Sequence, residues 1–362
     1  MIIIPVACFI TLGGFLIFYP VPDPPAGEMK IARDSISAAS GNEAEIYSCD
    51  LCNQAKAYYD SAMMVWRQEN ERFLYSRNYS MVAEFAGIAT RKASNATEGT
   101  VTIKSNLKGK LIWQLDEANL LLKKINSRFH SYPLNTEIRN RISKGKMLLK
   151  DSEIAFRNGQ YLVAEKTLTE SAILLKTSYE FADKDLRNYF RLYPRWKTWI
   201  DSTIAVSRKT CDYSIIVDKF SRKFVVYLNG EKVDEYNAEL GRNWVGHKRL
   251  RGDKATPEGM YRIVKKLDGD STNYYKALLL NYPNDEDTAK FRMEISRGAL
   301  PPSAKLGGMI EIHGNGGKGA DWTEGCIALK DQEMDSIFKY VKVGTPVTIV
   351  GSMTNLISAL RR

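Results

Sequence analysis

Residues 310–329 read IEIHGNGGKGADWTEGCIAL, and this stretch decides the fold and the chemistry of the C-terminal part of the chain. A short apolar strand ends at His313, and a glycine-rich loop then leads back to a turn that carries Cys326. A thiol becomes a strong nucleophile when a base takes its proton, and imidazole is the base best matched to neutral pH. The chain has three histidines, His130, His247 and His313, so few bases are available. We therefore predict a cysteine acyl-transfer site, with Cys326 as the nucleophile and His313 as the base.

The glycines beside this pair support the prediction. Taken alone, Cys326 would be an inert buried thiol and His313 a satisfied core histidine, but their joint placement next to glycines favours catalysis. Gly325 allows a tight turn, and the backbone N–H groups of Gly325 and Cys326 are candidate oxyanion donors, which contribute ~3–4 kcal/mol to transition-state stabilisation. The backbone carbonyl of Gly314 is the candidate group that orients the imidazole.

Length and composition set limits on the protein class. The 362-residue chain is long enough for two or three domains, and its 44% of hydrophobic residues can fill packed cores. The formal net charge of +10 implies an anionic partner or surface. Neither Cys/His finger spacing nor an aromatic RNA-binding motif occurs, so we expect no nucleic acid partner. A polyanionic cell wall, or its carboxylate-rich peptides, fits the charge equally well.

The N-terminal segment suggests a compartment. Residues Ile2–Tyr19 are almost wholly apolar, and a stretch of ~18 or more such residues can cross a bilayer. We expect residues 1–20 to be an uncleaved membrane anchor; a cleaved signal segment and a buried core helix are the alternatives. The prolines that follow predict an extended linker over residues 21–40. Lys30 and Arg33 after the span do not favour export, so an extracytoplasmic (periplasmic) location is expected from the chemistry alone.

Residues 41–207 are predicted to form a helical bundle domain. Apolar residues recur at steps of three and four in two stripes, which are Leu111, Leu115, Ala118, Leu122, Ile125 and Phe129, and Tyr161, Ala164, Leu168, Ala172, Leu175 and Tyr179. Asn158-Gly159 predicts the turn of a helical hairpin. Cys49 and Cys52 form a lone CxxC, for which a local disulfide or two ordinary thiols are the expected states. This domain suggests a protein partner, but nothing identifies it.

Residues 208–352 are predicted to be a mostly antiparallel β domain with one supporting helix, followed by a tail over residues 353–362. Asn229-Gly230 is a strong hairpin signal. The predicted strands are Tyr213–Val217, Phe224–Leu228, Met260–Val264, Ala277–Leu280, Met309–His313, Ile327–Leu329 and Pro346–Val350. Asp331 is the expected N-cap of a helix over residues 332–343. The predicted fold class is therefore multidomain α+β: membrane anchor, helical bundle, then a mostly β domain.

The C-terminal motifs resemble those of a known family, the L,D-transpeptidases of the YkuD type. Its signature is a His-Gly at a strand end, then a loop, then Ser/Thr-x-Gly-Cys; here these are His313-Gly314 and Thr323-Glu324-Gly325-Cys326. A strand-hairpin opening and a Thr-Pro-x-Gly turn at Thr256–Gly259 precede them in the family's order. The resemblance covers Tyr213 to Ser352. Glu324 stands where most members have His, and Ala328 where they have Arg or Asn; the motifs are closest to the YafK-like branch.

The resemblance implies a reaction on peptidoglycan stem peptides. Cys326 would form an acyl-enzyme with a stem tetrapeptide, release its terminal D-alanine, and pass the acyl group to an amine, with no metal and no cofactor. A peptidoglycan hydrolase of the same fold, with water as acceptor, is the alternative, and a non-catalytic wall-binding scaffold is a second one. A carbapenem is expected to acylate the same thiol. The expected substrate-binding residues are Thr323, Glu324, Arg242, Lys248, Arg251, Tyr282 and Trp322.

Overall fold

The computed structural model of the chain describes residues 21–130 and 132–361. The expected membrane anchor, residues 1–20, lies outside these ranges. Within them, no helix combines the length and the apolar character that crossing a membrane requires. The described chain divides into two compact units: one runs to Asp116 and includes Asp151–Leu168, and the other comprises Glu117–Lys150 with the residues from Thr169 onward.

The N-terminal half of the described chain is helical. Its helices are α1 (Ala26–Gly41), α2 (Ala44–Tyr47), α3 (Cys49–Glu71), α4 (Ser80–Arg128), α5 (Thr136–Arg157), α6 (Tyr161–Phe190) and α7 (Tyr193–Thr210), with a 3₁₀ turn at Leu74–Ser76. In the first unit, alanines such as Ala32, Ala62 and Ala86 are fully buried, which lets the helices approach closely. The predicted extended linker over residues 21–40 is wrong beyond Pro25, because the prolines end there and α1 begins at the next residue.

Two local features of the helical region were open or predicted from the sequence. The predicted hairpin turn at Asn158-Gly159 is confirmed: α5 ends at Arg157, Gly159 has a φ of +75°, and α6 starts at Tyr161. Cys49 and Cys52 both lie in the first turn of α3 and are free thiols, the former exposed and the latter buried. Of the two states expected for this CxxC, the structure therefore has the unpaired one.

In the described part of the chain, the second unit contains an eight-stranded sheet with the order β3-β2-β1-β8-β4-β5-β6-β7. Its strands are β1 (Tyr213–Asp218), β2 (Lys223–Leu228), β3 (Glu231–Asn237), β4 (Gly259–Asp268), β5 (Lys276–Leu280), β6 (Glu311–His313), β7 (Ile327–Ala328) and β8 (Pro346–Val350). The pairs β1–β8 and β6–β7 are parallel, and the other neighbours are antiparallel. The predicted mostly antiparallel β domain is confirmed.

The hairpin between β2 and β3 forms where the sequence predicts it. Asn229 and Gly230 have φ values of +54° and +78°, the left-handed pair that a tight hairpin turn between β2 and β3 requires. Three helices accompany the strands: α8 (Asp285–Ser296), α9 (Asp331–Tyr340) and α10 (Leu356–Ala359). The sequence reading missed α8, whose first turn is acidic and whose hydrophobic face is weak. The predicted start of α9 is one residue late, because Lys330 and not Asp331 is the N-cap.

A buried polar cluster fixes the Thr-Pro-Glu-Gly turn against α6 and α7. The carboxylate of Glu258 accepts hydrogen bonds from the Tyr189 hydroxyl at 2.8 Å, the Trp196 indole at 3.2 Å and the Lys219 ammonium at 3.0 Å. Lys219 and Glu258 are 0% and 3% exposed, so the ion pair is desolvated but fully hydrogen-bonded. Helices α6 and α7 are thus tied to the Thr-Pro-Glu-Gly turn.

Candidate active site

Two adjacent parallel strands bring the predicted nucleophile and base together. Ile312 of β6 lies opposite Ile327 of β7, and His313 lies opposite Ala328. Cys326 immediately precedes β7, so continuing the register by one residue places it opposite Glu311. Side chains of paired residues and of residues two apart point to the same face of a sheet. We therefore infer that Cys326 and His313 share one face as diagonal neighbours.

The turn before Cys326 requires a glycine. Gly325 has a φ of +131°, and a Cβ there would lie 2.6 Å from the backbone oxygen of Ala255. The Thr323 hydroxyl closes the turn by donating to the carbonyl of Cys326 at 2.7 Å and accepting from the N–H of Gly325 at 3.2 Å. The Gly325 N–H, one of the two predicted oxyanion donors, is thus already engaged. Of the pair, the N–H of Cys326 is the remaining candidate.

The imidazole of His313 is held in the tautomer that a base needs. Nδ1 lies 2.7 Å from the carbonyl oxygen of Gly314, and because a carbonyl only accepts, we assign the proton to Nδ1. Nε2 is buried and makes no hydrogen bond with any described residue, so it presents a free lone pair. The ring stacks on Tyr274 with centroids 3.6 Å apart and meets the edge of Trp322 at 5.8 Å. The orienting role of the Gly314 carbonyl stays a prediction.

Cys326 is half-buried, and its thiol is neutral. Burial raises its pKa to about 11, although the backbone N–H of Glu311 favours the thiolate. The S–H donates to the carbonyl of Met309 at 3.6 Å, not to His313. Burial likewise lowers the pKa of His313 to about 4. Both shifts favour the uncharged forms at neutral pH, so this site holds a thiol and a neutral imidazole, and a rotation of the thiol is needed before proton transfer.

The loop between His313 and Cys326 is fixed by two carboxylates. Glu239 accepts from the N–H of Gly319 at 2.6 Å and from the Trp322 indole at 2.7 Å. Asp321 accepts from Arg222 at 2.8 Å and from the N–H of Leu240 at 2.9 Å. These bonds hold Trp322 at the edge of the imidazole. The loop is therefore an ordered wall of the site.

The predicted basic substrate-binding residues are placed differently from one another. Lys248 is buried and paired with Asp253 at 2.7 Å, yet its charge still acts on the thiol, where it favours the thiolate. Arg242 is exposed and donates to the Trp322 carbonyl at 3.2 Å. Arg251 is exposed as well. The charge of Lys248 thus acts on the nucleophile, and Arg242 contacts the loop that borders it.

Two other predicted positions and His247 differ in their exposure. Glu324, two residues before the nucleophile, is exposed, and its carboxylate lies 3.6 Å from the ammonium of Lys254. Tyr282 is 4% exposed and packs edge-on against Tyr261, as a core residue does. His247 is half-buried, and its Nδ1 lies 2.9 Å from the carbonyl oxygen of Glu258.

Several residues of the site were missed by the sequence reading. Tyr274 covers one face of the imidazole, Glu239 anchors the loop, and the charge of Glu311 acts on the thiol. Of these three residues, only Glu311 carried a signal in the sequence, because it is a charged residue within an otherwise apolar strand. Tyr274 and Glu239 are distant in sequence and are brought in by the sheet order. In residues 21–130 and 132–361, no group of three or more His, Cys, Asp or Glu side chains is arranged to hold a metal ion.

Comparison with known proteins finds a family model that matches most of this domain. Residues 212–349 match the family model described as the L,D-transpeptidase catalytic domain, YkuD, which confirms the resemblance predicted from the motifs. The matched segment contains the Cys326 turn, the His313 strand and the whole sheet apart from the last residue of β8. The fold class of a helical region followed by a mostly β YkuD-like domain is confirmed with it.

Relatives are similar over part of the chain. A segment of 114 residues, 32% of this chain, is 28% identical to the Escherichia coli (strain K12) protein named "Putative L,D-transpeptidase YafK" and spans 37% of that protein. Among solved structures, Bdellovibrio bacteriovorus Bd1075 is 23% identical with a TM-score of 0.32, over 42% of this chain and 55% of that one. Mycobacterium tuberculosis L,D-transpeptidase 1 is 18% identical with a TM-score of 0.25, over 38% and 61%.

Proposed function

We propose that this protein is a peptidoglycan L,D-transpeptidase in which Cys326 is the nucleophile. The observation that carries the proposal is the buried, unpaired Nε2 of His313 on the same sheet face as the Cys326 thiol, inside the segment that matches the family. A neutral imidazole with a free lone pair beside a thiol is the arrangement that cysteine acyl transfer needs.

The first half-reaction would use the neutral pair directly. As the substrate carbonyl approaches, the thiol leaves the Met309 carbonyl, and its proton passes to Nε2 of His313 while the sulfur attacks. This removes the need for a preformed thiolate, which burial disfavours. The carbonyl attacked is that of the L-centre of the diamino acid in a stem tetrapeptide. The imidazolium then gives its proton to the departing D-alanine amine, which leaves a thioester on Cys326.

The second half-reaction would transfer the acyl group to the side-chain amine of another stem. Because its substrate lies in the wall, the protein would act on the extracytoplasmic side of the cell envelope. An anchor over residues 1–20 and a protein partner of the helical region remain predictions. The position of Trp322 against the imidazole suggests that it covers the bound stem, and the exposed Arg242, which donates to the Trp322 carbonyl, is available to the carboxylates of the stem.

The proposal is tested by incubating the full chain with disaccharide-tetrapeptides and identifying the products by mass spectrometry. We expect free D-alanine and cross-linked dimers, both lost in Cys326→Ala. Release of D-alanine with only the hydrolysed stem would identify a hydrolase of the same fold. Turnover that survives Cys326→Ala would exclude the thiol as nucleophile, and no turnover and no adduct would favour a non-catalytic scaffold. A carbapenem should add its mass to the wild-type chain at Cys326.

A further inference from the structure

Glu311 is a buried carboxyl that the first half-reaction does not use. It is 7% exposed and lies in β6 between Ile310 and Ile312. Its carboxylate makes no hydrogen bond and no ion pair with any residue that the structure describes, and burial raises its pKa. A largely buried carboxyl that has no protein partner keeps its oxygens available to a ligand that brings a positive charge.

The register of β6 and β7 predicts that Glu311 lies near the reacting atoms. Continued by one residue, that register places Glu311 opposite Cys326, and Glu311 lies two residues before His313, so we infer that the three side chains share one face. Its charge adds to the burial that raises the pKa of the Cys326 thiol. Tyr274, whose pKa burial also raises, senses the charges of both Cys326 and Glu311. The thiol, the carboxyl and the phenol are therefore near enough for their charges to act on one another.

This charge opposes the first half-reaction. A carboxylate beside a thiol disfavours the developing thiolate, so its value must come from another step. The nearby ammonium of Lys248 does not neutralise it, since Lys248 is already paired with Asp253 at 2.7 Å. What would balance Glu311 is a cation that arrives with a substrate. In the proposed reaction, the acceptor brings a primary ammonium group.

We propose that Glu311 binds the ammonium group of the acceptor beside the thioester on Cys326 and takes a proton from it. This inference rests on the proposed function and names the acceptor subsite of that same site. The carboxylate removes one proton from R–NH₃⁺, and the resulting amine attacks the thioester carbonyl. The C–N bond forms, the amine's second proton passes through Nε2 of His313 to the sulfur, and the C–S bond breaks. The products are the amide and the free thiol, and the Glu311 carboxylic acid then returns its proton to water.

The test separates acylation from transfer in the full chain. Wild type, Glu311→Gln and Glu311→Asp are given disaccharide-tetrapeptide as donor and disaccharide-tripeptide as amine acceptor. D-alanine release reports acylation, and the ratio of dimer to hydrolysed donor reports the choice of acceptor. In the Gln variant, we expect release within about threefold of wild type and a KM for the acceptor raised roughly 30-fold or more, as when one partner of a desolvated ion pair is removed. The Asp variant should recover part of the loss.

Dependence on pH gives a readout that a structural role of Glu311 would not change. Without the carboxylate, dimer formation must await the free amine, so in the Gln variant it should rise with pH towards ~10, the ordinary ammonium pKa. Glu231→Gln, which removes the same charge from an exposed position on β3, is the control and should match wild type. An unchanged dimer ratio in the Gln variant, or an equal fall of release and dimer formation in all Glu311 variants, would overturn the inference. So would a wild type that only hydrolyses, whereas failure of release in wild type would instead refute the proposed function.

Discussion

The substitution Gly325→Ala tests whether the turn before Cys326 sets the geometry of the site. Two costs can be worked from the structure. A φ of +131° is a region that side chains rarely adopt, which costs ~1–3 kcal/mol. The new Cβ would also lie 2.6 Å from the Ala255 oxygen and 3.3 Å from Cδ1 of Ile310, and such overpacking costs ~1–3 kcal/mol. Together these predict a loss of ~2–6 kcal/mol in the free energy of unfolding.

The matched control is Gly319→Ala in the same loop. Gly319 also has a positive φ, +73°, but nothing lies within 4 Å of the position of a new Cβ. It should lose only the backbone cost of ~1–2 kcal/mol and keep its N–H bond to Glu239. The two variants therefore differ chiefly in the contact with the Ala255 carbonyl.

Urea unfolding followed by tryptophan fluorescence would measure both losses, and D-alanine release would measure activity. Because a misplacement of ~1 Å can reduce a rate ~10²-fold, we expect Gly325→Ala to lose at least that factor even where it remains folded. Gly319→Ala should stay within about tenfold of wild type. Equal stability and equal activity of the two variants would refute the argument that the close approach of Ala255 shapes this turn.

Three further predictions concern the same site. Since burial lowers the pKa of His313 to about 4, kcat/KM for D-alanine release should hold steady from pH 7 to about 5 and fall below about 4, as protonation removes the base; a limb near pH 6.5 would contradict this. Since burial raises the pKa of the Cys326 thiol to about 11, its alkylation by iodoacetamide, followed by peptide mass mapping, should still accelerate above pH 9; a plateau near pH 7 would indicate a preformed ion pair. Glu239→Gln weakens two charge-assisted hydrogen bonds, from the Gly319 N–H and from the Trp322 indole. Hydrogen exchange of the backbone amides in residues 315–323 should therefore become about tenfold faster or more. Unchanged protection would show that other contacts hold the loop.

The parts of the fold that the sequence predicted are those with strong local signals. Asn229-Gly230 fixes its hairpin through two left-handed residues, and the strand ending at His313 carries its own apolar pattern. The helix α8 was missed because its signals are an N-cap at Asn284 and an acidic first turn, with little hydrophobic pattern. The error over α1 came from extending the effect of the prolines past Pro25, although a proline restricts only itself and the residue before it.

The site was partly predictable for a related reason. Cys326, His313 and Gly314 lie within a short, glycine-rich stretch of sequence, so a sequence motif can identify them together. Tyr274 and Glu239 reach the same place only through the order of strands in the sheet, and no local pattern marks them. The protonation states depend on burial, which the sequence does not give.

The most direct test of the central claim is to trap the acyl-enzyme. The full chain is mixed with disaccharide-tetrapeptide, quenched in acid within its first turnovers, digested, and the cysteine-containing peptides are sequenced by tandem mass spectrometry. The account predicts a disaccharide-tripeptide thioester on Cys326 and on no other cysteine, absent in Cys326→Ala. D-alanine release by wild type with Cys326 unmodified throughout, and undiminished in Cys326→Ala, would contradict it.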